Sequence, residues 1–381
     1  MSISLYRSYS TTVLLTPSYS LGFCTSMFLC IQLLSGFFLS TGYVPTSDFS
    51  FESIHSNILR DLDSGWCLRS VHANGASFFM LTVYMHMFRC LWHGSPSRSR
   101  IWLVGVIMYI LLSGCCFTGY SLVYGQMSLW AIVVICSLVT AVPYVGTDLL
   151  HLIWGGSVVS GVTLHRLFCV HFILPFVLAV FSLMHIYFLH GINSSGEYPI
   201  VASRRDRINF YPLLLVRDLA IFSLVLVFYS YYVFFSADEL GHPDNYVPAN
   251  ALVTPPEIAP EWYFLPVYAV VRAVPHKALG IICMLLMFLS LANIFPGVGH
   301  HGILRSFLPA FGVRWWVSSG SPSAVSPLSR SLLLLVVLDI YLSSKLCLLV
   351  NHSESLYWLL LSTVLGFMGS ELGRGYSGAS R

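Results

Sequence analysis

Charge is what this chain has least of. Only 9% of its 381 residues are Asp, Glu, Lys or Arg, against roughly a quarter in an ordinary soluble domain. Hydrophobic residues make up 56%, and the mean hydropathy is +0.76. That balance excludes a water-solvated globule and puts most of the chain in hydrocarbon. The net charge of +3 is too small to hold a nucleic acid, and the positive charge is nearly all arginine spread over loops. No CxxC pair and no CxxCH run occurs among the ten cysteines, so any haem would be held non-covalently. Most of these cysteines, such as Cys24, Cys30, Cys115, Cys116 and Cys283, sit inside apolar runs as small hydrophobes.

What is abundant is long apolar sequence. Runs near 21 to 43, 70 to 91, 101 to 122, 168 to 190, 217 to 236, 278 to 295 and 331 to 350, here A to G, and a shorter run H near 356 to 369 approach the length that a hydrocarbon core of about 30 Å demands. An all-α polytopic membrane bundle of about eight transmembrane helices is expected. The stretch 129 to 145 is ambiguous, opened by polar Gln126 and Ser128 and closed by Pro143 and Gly146. Loop charge arbitrates. The B–C loop (Arg89, Arg98, Arg100), the D–E loop (Arg204, Arg205, Arg207, Arg217) and the F–G loop (Arg305, Arg314, Arg330) are basic, whereas the A–B and E–F loops are net acidic. That alternation fits the positive-inside rule if 129 to 145 is a surface helix between C and D.

Runs B and D each carry two histidines set 14 residues apart, His72 and His86 in one, His171 and His185 in the other. Fourteen helical residues rise about 21 Å and turn almost four times, so each pair projects from one face at two depths. With 129 to 145 on the surface, B and D run the same way; His72 then faces His171 near the outer side and His86 faces His185 near the inner. Two bis-imidazole sites suit two stacked haems, and a histidine buried in lipid is costly without such a partner. Arg69 and Arg89 lie one turn beyond His72 and His86, placed to neutralise a haem propionate or simply to snorkel at the interface. Glycines also recur at 14, Gly22 and Gly36 in A and Gly105 and Gly119 in C. They let a flat macrocycle approach the backbone; ordinary small-residue packing is the alternative.

The stretches HANGASFFMLTVYMH (72 to 86), HFILPFVLAVFSLMHIYFLH (171 to 190), GQMSLW (125 to 130), DNYVPANALVTPPEIAPEWYFLP (244 to 266) and YAVVRAVPHKALG (268 to 280) resemble cytochrome b of the quinol–cytochrome c reductase, respiratory complex III. The resemblance runs from about 20 to 300 and fades beyond. It implies a catalytic subunit of that reductase, with an N-terminal segment 1–20, a four-helix haem domain 21–215 built from A to D, and a C-terminal transmembrane domain 216–381 carrying the quinol-oxidation loop. It further implies two non-covalent haem b groups, ubiquinol oxidised at the outer face and ubiquinone reduced at the inner face, a Q cycle that builds a proton gradient. The partners implied are a Rieske iron–sulfur protein, cytochrome c1, other complex III subunits and membrane lipids, in a homodimer, with no nucleic acid.

The resemblance also distributes roles. Glu261 in Pro260-Glu261-Trp262-Tyr263 would take a quinol proton, with Tyr263, Tyr268 and Phe117 lining the same outer pocket and the helix from Gly125 forming another wall. His190, Asp218 and the weaker candidate Ser194 would flank the inner quinone, with Arg217 at a proton entry or lipid headgroup. Taken alone, Glu261 is an ordinary solvated loop charge, His190 an interfacial histidine and Asp218 a helix N-terminal acid. Relatives usually read Leu-Pro-Trp-Gly-Gln where this chain has Leu122-Val123-Tyr124-Gly125-Gln126, and a glycine where it has Ala131. The added methyl is expected to narrow the outer pocket.

Two other classes compete. A transmembrane bis-haem reductase of the ferric-reductase or ascorbate type shares the histidine spacing but leaves the acidic outer loop unexplained. A proton or metal transporter leaves the repeated glycines unexplained. The first 20 residues carry no convincing signal or transit pattern, which suggests internally guided insertion. The N-terminal arm is short for the family. A mitochondrial inner membrane is expected, a bacterial plasma membrane being the alternative.

Overall fold

A computed structural model describes residues 9–13, 15–92, 99–192, 207–274 and 276–293. Runs G and H, Ser194 and the arginines at 98, 204, 205, 305, 314 and 330 lie outside the described residues. The main helices are α1 (Leu21–Ser40), α2 (Gly65–Trp92), α3 (Ser99–Ser121), α4 (Gln126–Ser137), α5 (Gly146–Trp154), α6 (Gly161–Ile192), α7 (Leu215–Phe235), α8 (Leu265–Ala273) and α9 (Lys277–Asn293). Two short strands, β1 (Ser10–Thr12) and β2 (Arg207–Asn209), pair antiparallel with Thr11 opposite Ile208.

Four helical stretches, Pro17–Ser40, Arg100–Ser121, Gly161–Gly191 and Phe210–Phe235, are long and apolar enough to cross a membrane. Helix α2 is more polar but has 28 residues, about 42 Å of helix. Many of the side chains on α6 and α7 are apolar and exposed, among them Val180, Leu183, Val227 and Phe235 at 66 to 80%. Lipid solvates such a surface and water does not, so the chain is a polytopic helical membrane protein.

The ambiguous stretch does not cross. Helix α4 has 12 residues, about 18 Å, and a tight turn at Leu138–Ala141 and Pro143 separates it from the nine-residue α5. Leu122, Ile132, Cys136, Leu150, Trp154, Leu164 and Leu167 form the apolar core beneath this surface hairpin. Helix α6 begins at Gly161, earlier than the apolar run near 168. Thr163 explains the extension: its Oγ1 accepts from the Ser160 amide at 3.1 Å and donates to the Trp154 carbonyl at 2.6 Å, anchoring a first turn that hydropathy overlooks.

By packing, the chain forms two compact units, residues 1–86 with 104–263 and residues 87–103 with 264–381. In the first, fully buried Phe28 of α1 meets Phe78 of α2 at 6.1 Å and Phe222 and Tyr229 of α7 at 5.9 and 5.4 Å. The Tyr229 hydroxyl donates to the Val71 carbonyl at 2.6 Å, so the buried phenol is satisfied. In the second, the Trp102 indole donates to the Leu291 carbonyl at 2.7 Å, and Gly280 lets α9 approach the Val271 carbonyl, which a Cβ would meet at 2.9 Å.

Candidate functional site

Helices α2 and α6 bring their four histidines together in two pairs. The His72 and His171 ring centres are 6.3 Å apart with planes at 87°, and those of His86 and His185 are 6.4 Å apart at 72°. These are the pairs expected if the stretch after α3 does not cross. Two metal–imidazole bonds of about 2 Å, plus about 1.1 Å from each nitrogen to its ring centre, put the centres roughly 6.2 Å apart. Among the described residues no group of three or more His, Cys, Asp or Glu is placed to hold a metal ion. Two facing imidazoles with no third donor among the described residues fit the protein ligands of a haem.

Each of the four glycines lies against one of these imidazoles. A Cβ built on Gly22 would stand 3.3 Å from His86 Cε1, on Gly36 3.0 Å from His72 Cε1, on Gly105 3.4 Å from His185 Cε1, and on Gly119 2.5 Å from His171 Cε1. The 14-residue repeat of glycine thus follows the 14-residue repeat of histidine, with α1 serving α2 and α3 serving α6. What the glycines admit is the ligand ring itself.

The outer imidazoles have further partners that sequence reasoning missed. Ser35 Oγ is 2.9 Å from His72 Nδ1 and donates its one proton to the Ile31 carbonyl at 2.7 Å, so towards His72 it accepts. His171 Nδ1 lies 3.0 Å from the Cys115 carbonyl and 3.3 Å from Thr118 Oγ1. Both Nδ1 atoms therefore carry hydrogen and both Nε2 atoms are free to ligate.

A cavity of about 300 Å³ opens from His72 and His171 to Arg69, Asp238, Tyr246 and Glu261. Glu261 is reached by an irregular segment that ends in a short helical turn at Trp262–Phe264, pinned by a 3.2 Å bond from the Trp262 indole to Ser77 Oγ. Burial pushes the Glu261 carboxyl up to about 7, against the pull of the Arg69 guanidinium. Tyr263 also lines the cavity, its carbonyl accepting from Tyr84 at 2.5 Å. Phe117 packs on the core under α4 and α5, beside Leu122, Tyr43 and Phe168, which also line this cavity. Tyr268 belongs to the second unit, where the Arg272 guanidinium sits 5.8 Å from its ring centre. Arg89 lies in the last turn of α2.

The helix from Gly125 is locked to the loop that leads to Glu261. Gly125 bridges Pro248, Gln126 N donates to Val247 O at 2.8 Å, and the Asn245 side-chain oxygen accepts from Ser128 N and Oγ at 3.0 and 2.8 Å. A Cβ on Gly125 would stand 2.3 Å from the Asn245 carbonyl, so only glycine permits this approach. The Trp130 indole adds a 3.2 Å bond to Val253 O, and half-buried Ala131 follows it on α4.

At the other end of α6, His190 lies in the last turn with the Tyr9 ring 4.9 Å away. Tyr9 O accepts from Phe210 N at 2.9 Å beside the β1–β2 pair. Asp218, buried in the first turn of α7, accepts from Ser20 Oγ at 2.6 Å and has Arg217 at 3.9 Å. Arg217 also donates to the Leu15 carbonyl. The N-terminal arm from Tyr9 to Ser20 thereby touches both His190 and Asp218, and neither Tyr9 nor Ser20 was evident from sequence.

Comparison with known proteins agrees with this geometry. Residues 6–193 match the family described as Cytochrome b/b6/petB, and residues 248–306 the family described as Cytochrome b(C-terminal)/b6/petD. Cytochrome b of Chondrus crispus is 41% identical over 313 residues, covering 81% of each chain. Cytochrome b of Oryza sativa subsp. japonica is 44% identical over 310 residues, covering 81% of this chain and 78% of its own. Among solved structures, a chain of a hyperthermophilic respiratory Complex III superposes with a TM-score of 0.82 at 27% identity, covering 96% of this chain and 94% of that one.

Proposed function

The chain belongs to the cytochrome b family, and from that premise we propose that it is the haem-bearing electron-transfer subunit of a quinol–cytochrome c reductase, with two haems per chain. The observation that carries this reading is the pair of imidazole separations, 6.3 and 6.4 Å, each of which would let two histidines hold one iron between them. When bound, the two b-type haems supply one-electron carriers at two depths. His72 and His171 would hold the outer iron and His86 and His185 the inner. Arg69, on the outer cavity wall, offsets the negative charge that propionates bring.

Quinol is oxidised at the outer face, where the Glu261 carboxylate takes a proton from the quinol hydroxyl. A buried carboxyl poised at about 7 is suited to both accept and release it. Tyr263 lines that cavity; Tyr268 and Phe117 are assigned to the pocket by family resemblance alone. One electron goes to a Rieske iron–sulfur partner and on to cytochrome c1. The other crosses about 21 Å between the two histidine levels, a charge movement coupled to the membrane potential at up to about 2.3 kcal/mol per 100 mV. At the inner face, His190, Asp218 and Ser194 flank ubiquinone and supply protons as it is reduced. Ser20 holds the Asp218 oxygen and Arg217 provides the nearby cation. The setting proposed is a homodimeric complex of the mitochondrial inner membrane with further subunits and bound lipids.

The test is a dithionite-reduced minus oxidised spectrum of the purified complex with haem quantitation per chain. Two non-covalent b-type haems are expected, one lost in His72→Ala and the other in His86→Ala. One haem, or none, overturns the four-ligand assignment.

A further inference from the structure

One titratable side chain on the outer cavity wall has no part in that scheme. His55 lies in the π-helical segment Ser53–Asp61, between α1 and α2, and lines the cavity that Glu261 and Arg69 share. Its ring is clamped. Phe51, one turn earlier, stacks on it with centres 3.9 Å apart and planes at 16°, and Tyr246 meets it edge-on at 5.4 Å. Nδ1 is 3.0 Å from the Phe51 carbonyl. A carbonyl only accepts, so Nδ1 carries the hydrogen and Nε2 keeps a lone pair available to a proton. The residue is half-buried and lines the cavity, so its ring is accessible to solvent.

Resting on the outer-face reading of quinol oxidation, we propose that His55 is the proton exit of the outer cavity, taking at Nε2 the proton that Glu261 has accepted and passing it to external water. The quinol O–H breaks and its proton forms the Glu261 carboxylic O–H. That bond then breaks as the proton moves through cavity solvent to Nε2, giving an imidazolium, which loses it to bulk water and returns to its starting tautomer. These steps move no electrons; the electrons leave by the two acceptors already named.

The surroundings favour transfer over retention. Arg60 on the same segment and Arg69 on α2 face His55, and Asp238, His242, Tyr246 and Glu261 share its cavity from the loops after α7. Burial, together with Arg69 and Arg60, holds the imidazole below its ordinary pKa, against the Phe51 carbonyl that pulls it up. A proton arriving there is therefore passed on quickly. Arg69 also acts on Glu261, so one guanidinium discourages proton storage at both stations.

The experiment compares His55→Ala, His55→Phe and Glu261→Gln in the purified complex, following quinol-driven reduction of the haems, its pH profile and its solvent deuterium isotope effect. His55→Ala is expected to slow the reaction roughly tenfold, to increase the isotope effect and to recover with added imidazole. His55→Phe, which keeps the aromatic packing, should be equally slow, with both haem bands intact. Full rate in His55→Phe, or a loss in His55→Ala that imidazole does not restore, means a packing role and overturns the relay alone. Unchanged quinol oxidation in Glu261→Gln overturns the outer-site reading and the relay with it.

Discussion

Gly119 faces His171 so closely that a Cβ built on it would stand 2.5 Å from the imidazole Cε1 and 3.1 Å from Nδ1. Neither partner can yield easily, since His171 Nδ1 is bound to the Cys115 carbonyl and Gly119 sits in the last turns of α3. Gly119→Ala is therefore expected to displace the ligand ring and lose the outer haem band. Gly105→Ala, where the added carbon would meet His185 at 3.4 Å, an ordinary contact, is expected to keep both bands. Haem content per chain of the two variants decides it, and equal retention would show that ring contact does not explain the repeat.

Glu261, the proton acceptor proposed for the outer site, predicts its pH dependence. Its raised pKa, about 7 against an ordinary 4.5, keeps the folded carboxyl protonated where the unfolded one is charged. Its contribution to stability is thus full below about 4.5 and lost as pH rises through about 7. Activity should run the other way if the proposed acceptor is the carboxylate: quinol oxidation is then expected to climb as pH rises through about 7. Glu261→Gln removes that limb, and Arg69→Ala, which withdraws the cation opposing burial, moves it to higher pH. A limb unmoved by Arg69→Ala would mean that another group titrates.

Ser35 is placed to set the basicity of His72, a proposed ligand of the outer haem. Its hydroxyl accepts from His72 Nδ1 at 2.9 Å while donating to Ile31 O, an arrangement that strengthens the imidazole as a donor to ferric iron. Ser35→Ala removes the acceptor, so the outer haem potential should rise, by about 59 mV for each tenfold lost in preference for the oxidised state. Ser35→Thr should hold the wild-type value. Redox titration of the two bands reads both, and a shift in the inner band alone would contradict the pairing.

Asn245 ties the surface helix to the quinol loop. It receives Ser128 N and Oγ with one side-chain oxygen, and Asn245 itself is buried. Asn245→Leu leaves the buried Ser128 amide unpaired, at about 1–3 kcal/mol, while the Ser128 hydroxyl keeps the Tyr120 carbonyl at 2.7 Å. The expected result is a lower thermal midpoint and slower quinol oxidation, with both haem bands retained. Loss of haem instead would place this junction in the haem fold rather than in the loop's positioning.

Much of this was legible because it is periodic. The spans, the histidine pairs and the matching glycines all follow from helical rise and turn, and loop charge alone settled that 129 to 145 stays on one face. Ser35, Ser20, Tyr9 and His55 were not legible. Small hydroxyls inside an apolar run carry no spacing signal, and the partner of Ser20 lies 198 residues away. Phe117 was placed in the outer pocket by family resemblance, which says nothing of its packing; in the fold it packs on the core under α4 and α5, against residues that also line the cavity.

Ser20 tests the inner assignment without replacing either proposed proton donor. It is fully buried and donates to Asp218 Oδ1 at 2.6 Å, a hydrogen bond to a carboxylate in a site where Arg217 stands off at 3.9 Å. Such charge-assisted bonds are worth about 1.5–3 kcal/mol. Without it the Asp218 carboxyl is free to turn from the quinone carbonyl it is proposed to serve. In Ser20→Ala, reoxidation of the inner haem by quinone is expected to slow by roughly one to two orders of magnitude, while its reduction through the outer site keeps its rate, so reduced inner haem accumulates in turnover. Ser20→Thr restores the hydroxyl and should recover most of the rate. Unchanged reoxidation in Ser20→Ala, together with unchanged reoxidation in Asp218→Asn, would remove this end of α7 from the quinone site.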